Sequence, residues 1–156
     1  MFKKALALGL SMVMAFSLVA CAKPAEPTTP DGTPAAPAEK KMHIGIVTGT
    51  VSQGEDELRG AEAMIQKYGD ANTGGMIKHV TYPDNFMQEQ ETTIAQIVGL
   101  SDDPDMKVIV VNQAIPGTVA AFKQIREKRP DILLLANSSQ EDTAMIEAAA
   151  DLVIDP

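Results

Sequence analysis

Tryptophan is absent and aromatic residues make up 4% of the chain, so an aromatic platform for stacking sugar rings is poorly supported. A single cysteine excludes an internal disulfide framework. The two histidines, His43 and His79, show no metal-ligand spacing with Cys, Asp or Glu. Basic residues are scarce after residue 41. Of the 13 Lys and Arg and 21 Asp and Glu in the chain, 5 and 3 lie in residues 1–41, which leaves 8 and 18 from Met42 onward. The resulting net charge of −10 argues against nucleic acid and anionic lipid surfaces as partners, although acidity also serves plain solubility. Phosphate-binding motifs fail too. Gly49-x-x-x-x-Gly54 is followed by Glu55 and Asp56 where a P-loop needs Lys and Ser or Thr, and Gly45-x-x-x-Gly49 is no dinucleotide fingerprint. There is no Gly-x-Ser-x-Gly elbow for a nucleophile. Asp102-Asp103-Pro104-Asp105 lacks the spacing and terminal Glu of a calcium loop, and reads as a solvated turn. No cofactor, metal or catalytic residue is expected.

The N-terminus is richer. Lys3 and Lys4 precede an apolar stretch from Ala5 to Ala20, 16 residues long. A membrane-spanning helix needs about 20, so residues 1–20 read as a secretion signal rather than a permanent span. Leu18-Val19-Ala20-Cys21 resembles the lipobox of bacterial lipoproteins. That resemblance implies acylation of Cys21 and anchoring at the extracytoplasmic face of the cell membrane, on the periplasmic side in a Gram-negative cell. More than one acyl chain makes such anchoring stable. The alternative is an ordinary cleaved signal beside an incidental cysteine. Residues 22–41 hold five prolines among Ala, Thr and charged residues. With Cys21 they read as a tether, up to about 60 Å long in the polyproline limit.

From Met42 onward, short apolar runs alternate with amphipathic ones. Strands are predicted at His43–Thr48, Ile77–Tyr82, Lys107–Val111, Ile132–Ala136 and Leu152–Ile154, with helices at about 55–69, 86–100, 118–129 and 141–150. Helical stripes are formed by Leu58, Ala61, Ile65 and Tyr68, and by Val119, Phe122, Ile125 and Arg126. Three patterns resemble capping boxes: Ser52-x-x-Glu55, Asn85-x-x-Gln88 and Ser138-x-x-Glu141. Strict alternation predicts an α/β fold, a three-layer open parallel sheet. Val108–Val111 and Ile132–Leu135 are apolar throughout, as central strands are. Ile77–Tyr82 carries Lys78 and His79 and reads as an edge, which gives the order 2-1-3-4-5 and a switch point between strands one and three. Residues 42–156 form one such lobe.

In these sheets ligands sit beyond the carboxyl ends of the strands. Four loops lie there, and they are dense in neutral hydrogen-bonding groups that suit a small polar solute. The candidates are Thr48, Gly49, Thr50 and Gln53 after strand one, Tyr82 and Asp84 after strand two, Asn112 and Gln113 after strand three, and Asn137 and Ser138 after strand four. Helix capping alone would explain Ser52, Asn85 and Ser138. Asn112, Gln113 and Asn137 lie away from the cap positions and carry more weight.

Ile44–Gln53, His79–Phe86, Gln113–Thr118 and Arg126–Ile132 together resemble a family of bacterial lipoproteins related to ABC-transporter substrate-binding proteins of the type I periplasmic fold. The resemblance implies an extracytoplasmic receptor that closes on a small polar solute and delivers it to an ABC permease. Proteins of that fold have two lobes, and this sequence reaches Asp155-Pro156 after one, so a truncated, N-terminal lobe is expected. Two other readings compete: an exported α/β enzyme using the Asp84 or Glu55 region as a base, and a non-binding fragment or interaction module.

Overall fold

Short aliphatic runs build the strands, rich in Val and Ile in β1 and β3 and in leucine in β4. β1 (His43–Thr48), β2 (Ile77–Thr81), β3 (Met106–Asn112), β4 (Leu133–Asn137) and β5 (Leu152–Ile154) form one parallel sheet in the order β2-β1-β3-β4-β5. The computed structural model describes residues 41–154. The proposed signal (1–20), Cys21 and all of the tether but Lys41 therefore lie outside the described residues. α1 (Val51–Tyr68), α2 (Gln90–Leu100), α3 (Thr118–Lys128) and α4 (Thr143–Ala149) connect successive strands. The α/β class and the strand order are as the sequence predicts.

Sheet register sorts the side chains between two faces. Val47, Ile109, Val111, Leu134 and Ala136 point to one face, where Ile97 and Leu100 of α2, Val119, Phe122 and Ile125 of α3 and Ile146 of α4 join them in the main core. The other face carries Ile44 and Ile46, which with Ile77 pack on Ala61 and Ile65 of α1. Right-handed crossovers account for this division. The step from β1 to β2 goes one way, whereas those ending at β3, β4 and β5 go the other, so their helices fall on opposite sides.

Three helix starts differ from expectation. α1 begins at Val51 behind Thr50, four residues early, and is interrupted at Gly54 (φ −169°, ψ 78°). Ser52 lies inside it and does not cap it. α2 begins only at Gln90, because the Asn85 carbonyl accepts from the N–H groups of Gln88 and Glu89 and closes a turn first. α4 is capped by Asp142, whose carboxylate accepts from Met145 N at 3.1 Å, not by Ser138. Tyr68 and Leu133 are also more exposed than an inward stripe or a fully buried strand requires, at 42% and 48%.

The turn after α2 is only partly solvated: Asp102 and Pro104 are exposed, whereas Asp103 turns inward. Asp103 Oδ2 lies 2.9 Å from His43 Nδ1 and 3.7 Å from Lys78 Nζ, and the Asp103 side chain is only 13% exposed. Burial pushes the Asp103 carboxyl up, but hydrogen bonds from His43 and Asp105 N–H, with the His43 and Lys78 charges, bring it below its usual range. His43, Asp103 and Asp105 form a cluster of potential metal ligands that sequence spacing did not reveal. It sits at the amino end of the sheet, opposite the candidate loops, and Lys78 already supplies a cation beside it. Arg129 binds the same turn from α3, donating to the carbonyls of Ser101, Asp103 and Met106.

Candidate functional site

The candidates gather at the carboxyl edge as three hydrogen-bonded groups. Thr50 and Ser52 both donate to Asp84 Oδ1, Ser52 at 2.6 Å, while Gln53 Nε2 donates to the Asp84 carbonyl at 2.9 Å. The start of α1 is thereby fastened to the loop after β2. These hydroxyl bonds, Ser52 first, hold the Asp84 carboxyl below the usual carboxylate range. Gly49 is required by close approach. A Cβ there would lie 2.7 Å from Gln53 Cβ and 2.9 Å from the Tyr82 hydroxyl.

Tyr82 begins the second group. It is buried, stacks edge-to-face on Phe86 at 5.6 Å, and donates to Gln113 Oε1 at 3.4 Å. Gln113 Nε2 in turn donates to Glu57 Oε1 of α1 at 2.9 Å. Burial, and secondarily the Glu57 charge, push the Tyr82 phenol up to about 12. Beyond Gln113, Asn137 Nδ2 donates to Asn112 Oδ1 at 3.3 Å across β3 and β4. Gln113, which follows β3, therefore joins the end of β2 to α1, beside the switch point between β1 and β3.

Two backbone positions stand out. Gln113 and Ser138, which follow the terminal asparagines of β3 and β4, both have φ of 49°. A non-glycine residue in the left-handed region costs about 1–3 kcal/mol and persists only where its surroundings impose it. Ser138 N–H donates to the Ile154 carbonyl and Ala114 N–H to the Asn137 carbonyl, fixing both turns in place. Strain at corresponding places on adjacent strands points both chain reversals toward the same edge.

Not every candidate is free to meet a solute. Thr48 is buried, with its hydroxyl donating to the Gly49 carbonyl and paired to His79 Nε2 at 2.9 Å. His79, expected as an exposed edge residue, is half-buried, and burial lowers its pKa against the opposing effect of Glu62. Two site residues escaped sequence reasoning. One is Glu57. The other is Glu141, which accepts from Gly117 N at 3.1 Å and Val119 N at 2.6 Å and so fills the N-terminus of α3. The absence of acidic residues in the first turn of α3 was the available hint that a carboxylate would come from elsewhere.

Residues 42–156 match the model of a family described as proteins of unknown function, DUF3798. The chain belongs to that family. An uncharacterized protein of Treponema pallidum (strain Nichols) is 37% identical over 127 residues, covering 80% of this chain and 58% of its own length. A second from the same organism is 43% identical over 58 residues, covering 37% of this chain and 27% of the relative. A crystal structure from Clostridium difficile 630, described as a candidate transcriptional regulator, is similar with a TM-score of 0.65 at 28% identity, over 72% of this chain and 33% of that one. The chain thus spans about three-fifths of the first curated relative and a third of the solved protein.

Proposed function

We propose that this member of the family is a solute-binding lipoprotein, in which the lobe forms one wall of a cleft for a small polar ligand. The observation that carries this reading is the pair of strained reversals at Gln113 and Ser138, set beside the Asn112–Asn137 amides at the switch-point edge. Strain concentrates where a fold must present groups for function, and open parallel sheets bind at this edge. Thr50, Gln53, Asp84, Asn112, Gln113, Asn137 and Ser138 are the groups offered, with Gly49 and Tyr82 shaping the floor. In this reading the lobe is the N-terminal part of a two-lobe receptor of the type I periplasmic kind. Cys21 carries the lipid anchor, the proline-rich stretch is the tether, and an ABC permease receives the solute.

Binding rather than catalysis is favoured by Asp84. Its carboxyl is held below the usual range by two hydroxyl donors, which makes it a poor general base. The regulator description of the Clostridium protein is not carried over, because a net charge of −10 from Met42 onward opposes contact with nucleic acid. Thermal-shift screening of the chain, and of its longer Treponema relative, against nucleosides, purines, sugars and amino acids tests the proposal. A ligand-dependent rise in Tm that Gln113→Ala removes is expected. Silence across all classes in both proteins would overturn it.

A further inference from the structure

The sheet face that bears α1 is only half covered. β1 and β2 lie beneath that helix, but Val108 and Val110 of β3, Leu133 and Leu135 of β4, and Leu152 and Ile154 of β5 share the same face by register. None of these six belongs to the cluster that α1 forms over β1 and β2. Leu133, Leu152 and Ile154 are 48%, 49% and 47% exposed. These rows are aliphatic until the neutral amides of Asn112 and Asn137 close them at the carboxyl edge. Parallel sheets are stable with both faces covered, and a continuous aliphatic patch on three adjacent strands marks an interface.

Topology indicates what fits there. β5 is the edge strand, and its carboxyl end lies beside the candidate site. Polypeptide leaving β5 and returning over the sheet must travel in the direction of the β1-to-β2 step, and that right-handed crossover put α1 on this same face. Val108 and Val110 of β3 lie roughly 7 Å apart along the strand, a length that a helix of about two to three turns spans with room for both ends. Longer relatives have polypeptide to supply one, since this chain covers 58% of the Treponema protein.

We infer that the face formed by Val108, Val110, Leu133, Leu135, Leu152 and Ile154 is the seat of an amphipathic helix that follows β5 in the longer polypeptide and lies antiparallel to the strands beside α1. Its inward stripe is aliphatic. The proposal is independent of whether the carboxyl edge binds a solute.

The test adds the remaining polypeptide of the Treponema relative, made as a separate chain, to this full chain. Amide exchange and the emission of an apolar-surface dye are followed together. Addition is expected to slow exchange at residues 133–135 and 152–154 by at least about tenfold, to displace the dye, and to leave residues 44–47 unchanged. Leu133→Lys with Leu152→Lys should abolish both effects, and the milder Leu133→Gln should weaken them while cooperative unfolding is retained. Unchanged exchange on addition overturns the inference. So does a concentration-dependent doubling of mass of this chain alone that Leu133→Lys removes, because a second copy would then be the occupant.

Discussion

The two faces of the sheet are built to different standards. On one, three helices pack over side chains that are almost wholly buried, and Phe122, Ile109, Ile125 and Leu134 are fully enclosed. On the other, a single helix covers two strands through a small cluster of Ile46, Ala61 and Ile77. Similar aliphatic residues supply both, so composition does not create the difference. Direction does: three of the four crossovers step toward β5 and stack their helices on one side. Stability therefore resides in the covered face. The α1 face holds the parts that reach the candidate site, including Glu57 and the Thr50–Ser52 clasp.

The largest test of that contrast is truncation on each face. Phe122→Ala should cost about 3–5 kcal/mol by denaturant unfolding, because its ring is fully enclosed and the space cannot collapse around an alanine. Leu133→Ala, on the open face, should cost under about 1 kcal/mol. Equal losses would mean that the open face is packed as tightly as the covered one.

Next in size is how each side is fastened. Arg129, at the end of α3, donates to the carbonyls of Ser101 at 2.9 Å and of Asp103 and Met106 at 3.1 Å. Arg129→Ala leaves three carbonyls short of a charged donor and should cost about 2–3 kcal/mol. Arg59 of α1 makes only exposed pairs with Glu55 and Glu62, and Arg59→Ala should leave stability nearly unchanged. Urea midpoints of the two variants measure the difference.

Much of this architecture was legible in the sequence. Lys78 and His79 marked β2 as an edge, and that one inference sets the order of the sheet. Val119, Phe122 and Ile125 announced the buried stripe of α3 at its helical spacing. What escaped was every partnership formed across distance. The spacing of Ser52 and Glu55 suggests a local capping box, yet Ser52 donates to Asp84, 32 residues away. Glu57 and Gln113 are 56 residues apart, and His43 and Asp103 are 60. A local pattern competes poorly with a better-placed acceptor brought in by the fold. The left-handed turns at Gln113 and Ser138 were equally silent, because neither position carries the glycine that usually signals one. Nor does an apolar run say which of its faces is covered, as Leu133 demonstrates.

Glu141 gives the third prediction. It leaves the loop after β4 to satisfy two N–H groups at the start of α3, a charge-assisted cap on the covered-face helix. Glu141→Ala should cost about 1–2 kcal/mol and speed amide exchange through Gly117–Val119. α1 has no side-chain cap at Thr50. A null result for Glu141 would make the two helix starts alike and remove one element of the asymmetry.

The smallest effect concerns the clasp that α1 has in place of a cap. Ser52 and Thr50 donate to Asp84 and hold its carboxyl below the usual range. The sign follows from linkage. A carboxyl depressed in the folded state contributes stability that is present above the ordinary carboxylate pKa and is lost as pH falls through the folded value. Carboxyl chemical shifts should give Asp84 a midpoint below that of an ordinary aspartate, and Ser52→Ala should raise it. Thr50→Val should raise it less, since the Ser52 hydroxyl is the larger influence. Acidification should loosen the start of α1 and leave α3 unaffected until lower pH, seen as earlier exchange at Gln53 and Gly54 than at Ala121 and Phe122. Simultaneous loosening of both helices would show that the clasp is not what holds α1, and the contrast between the faces would then rest on packing alone.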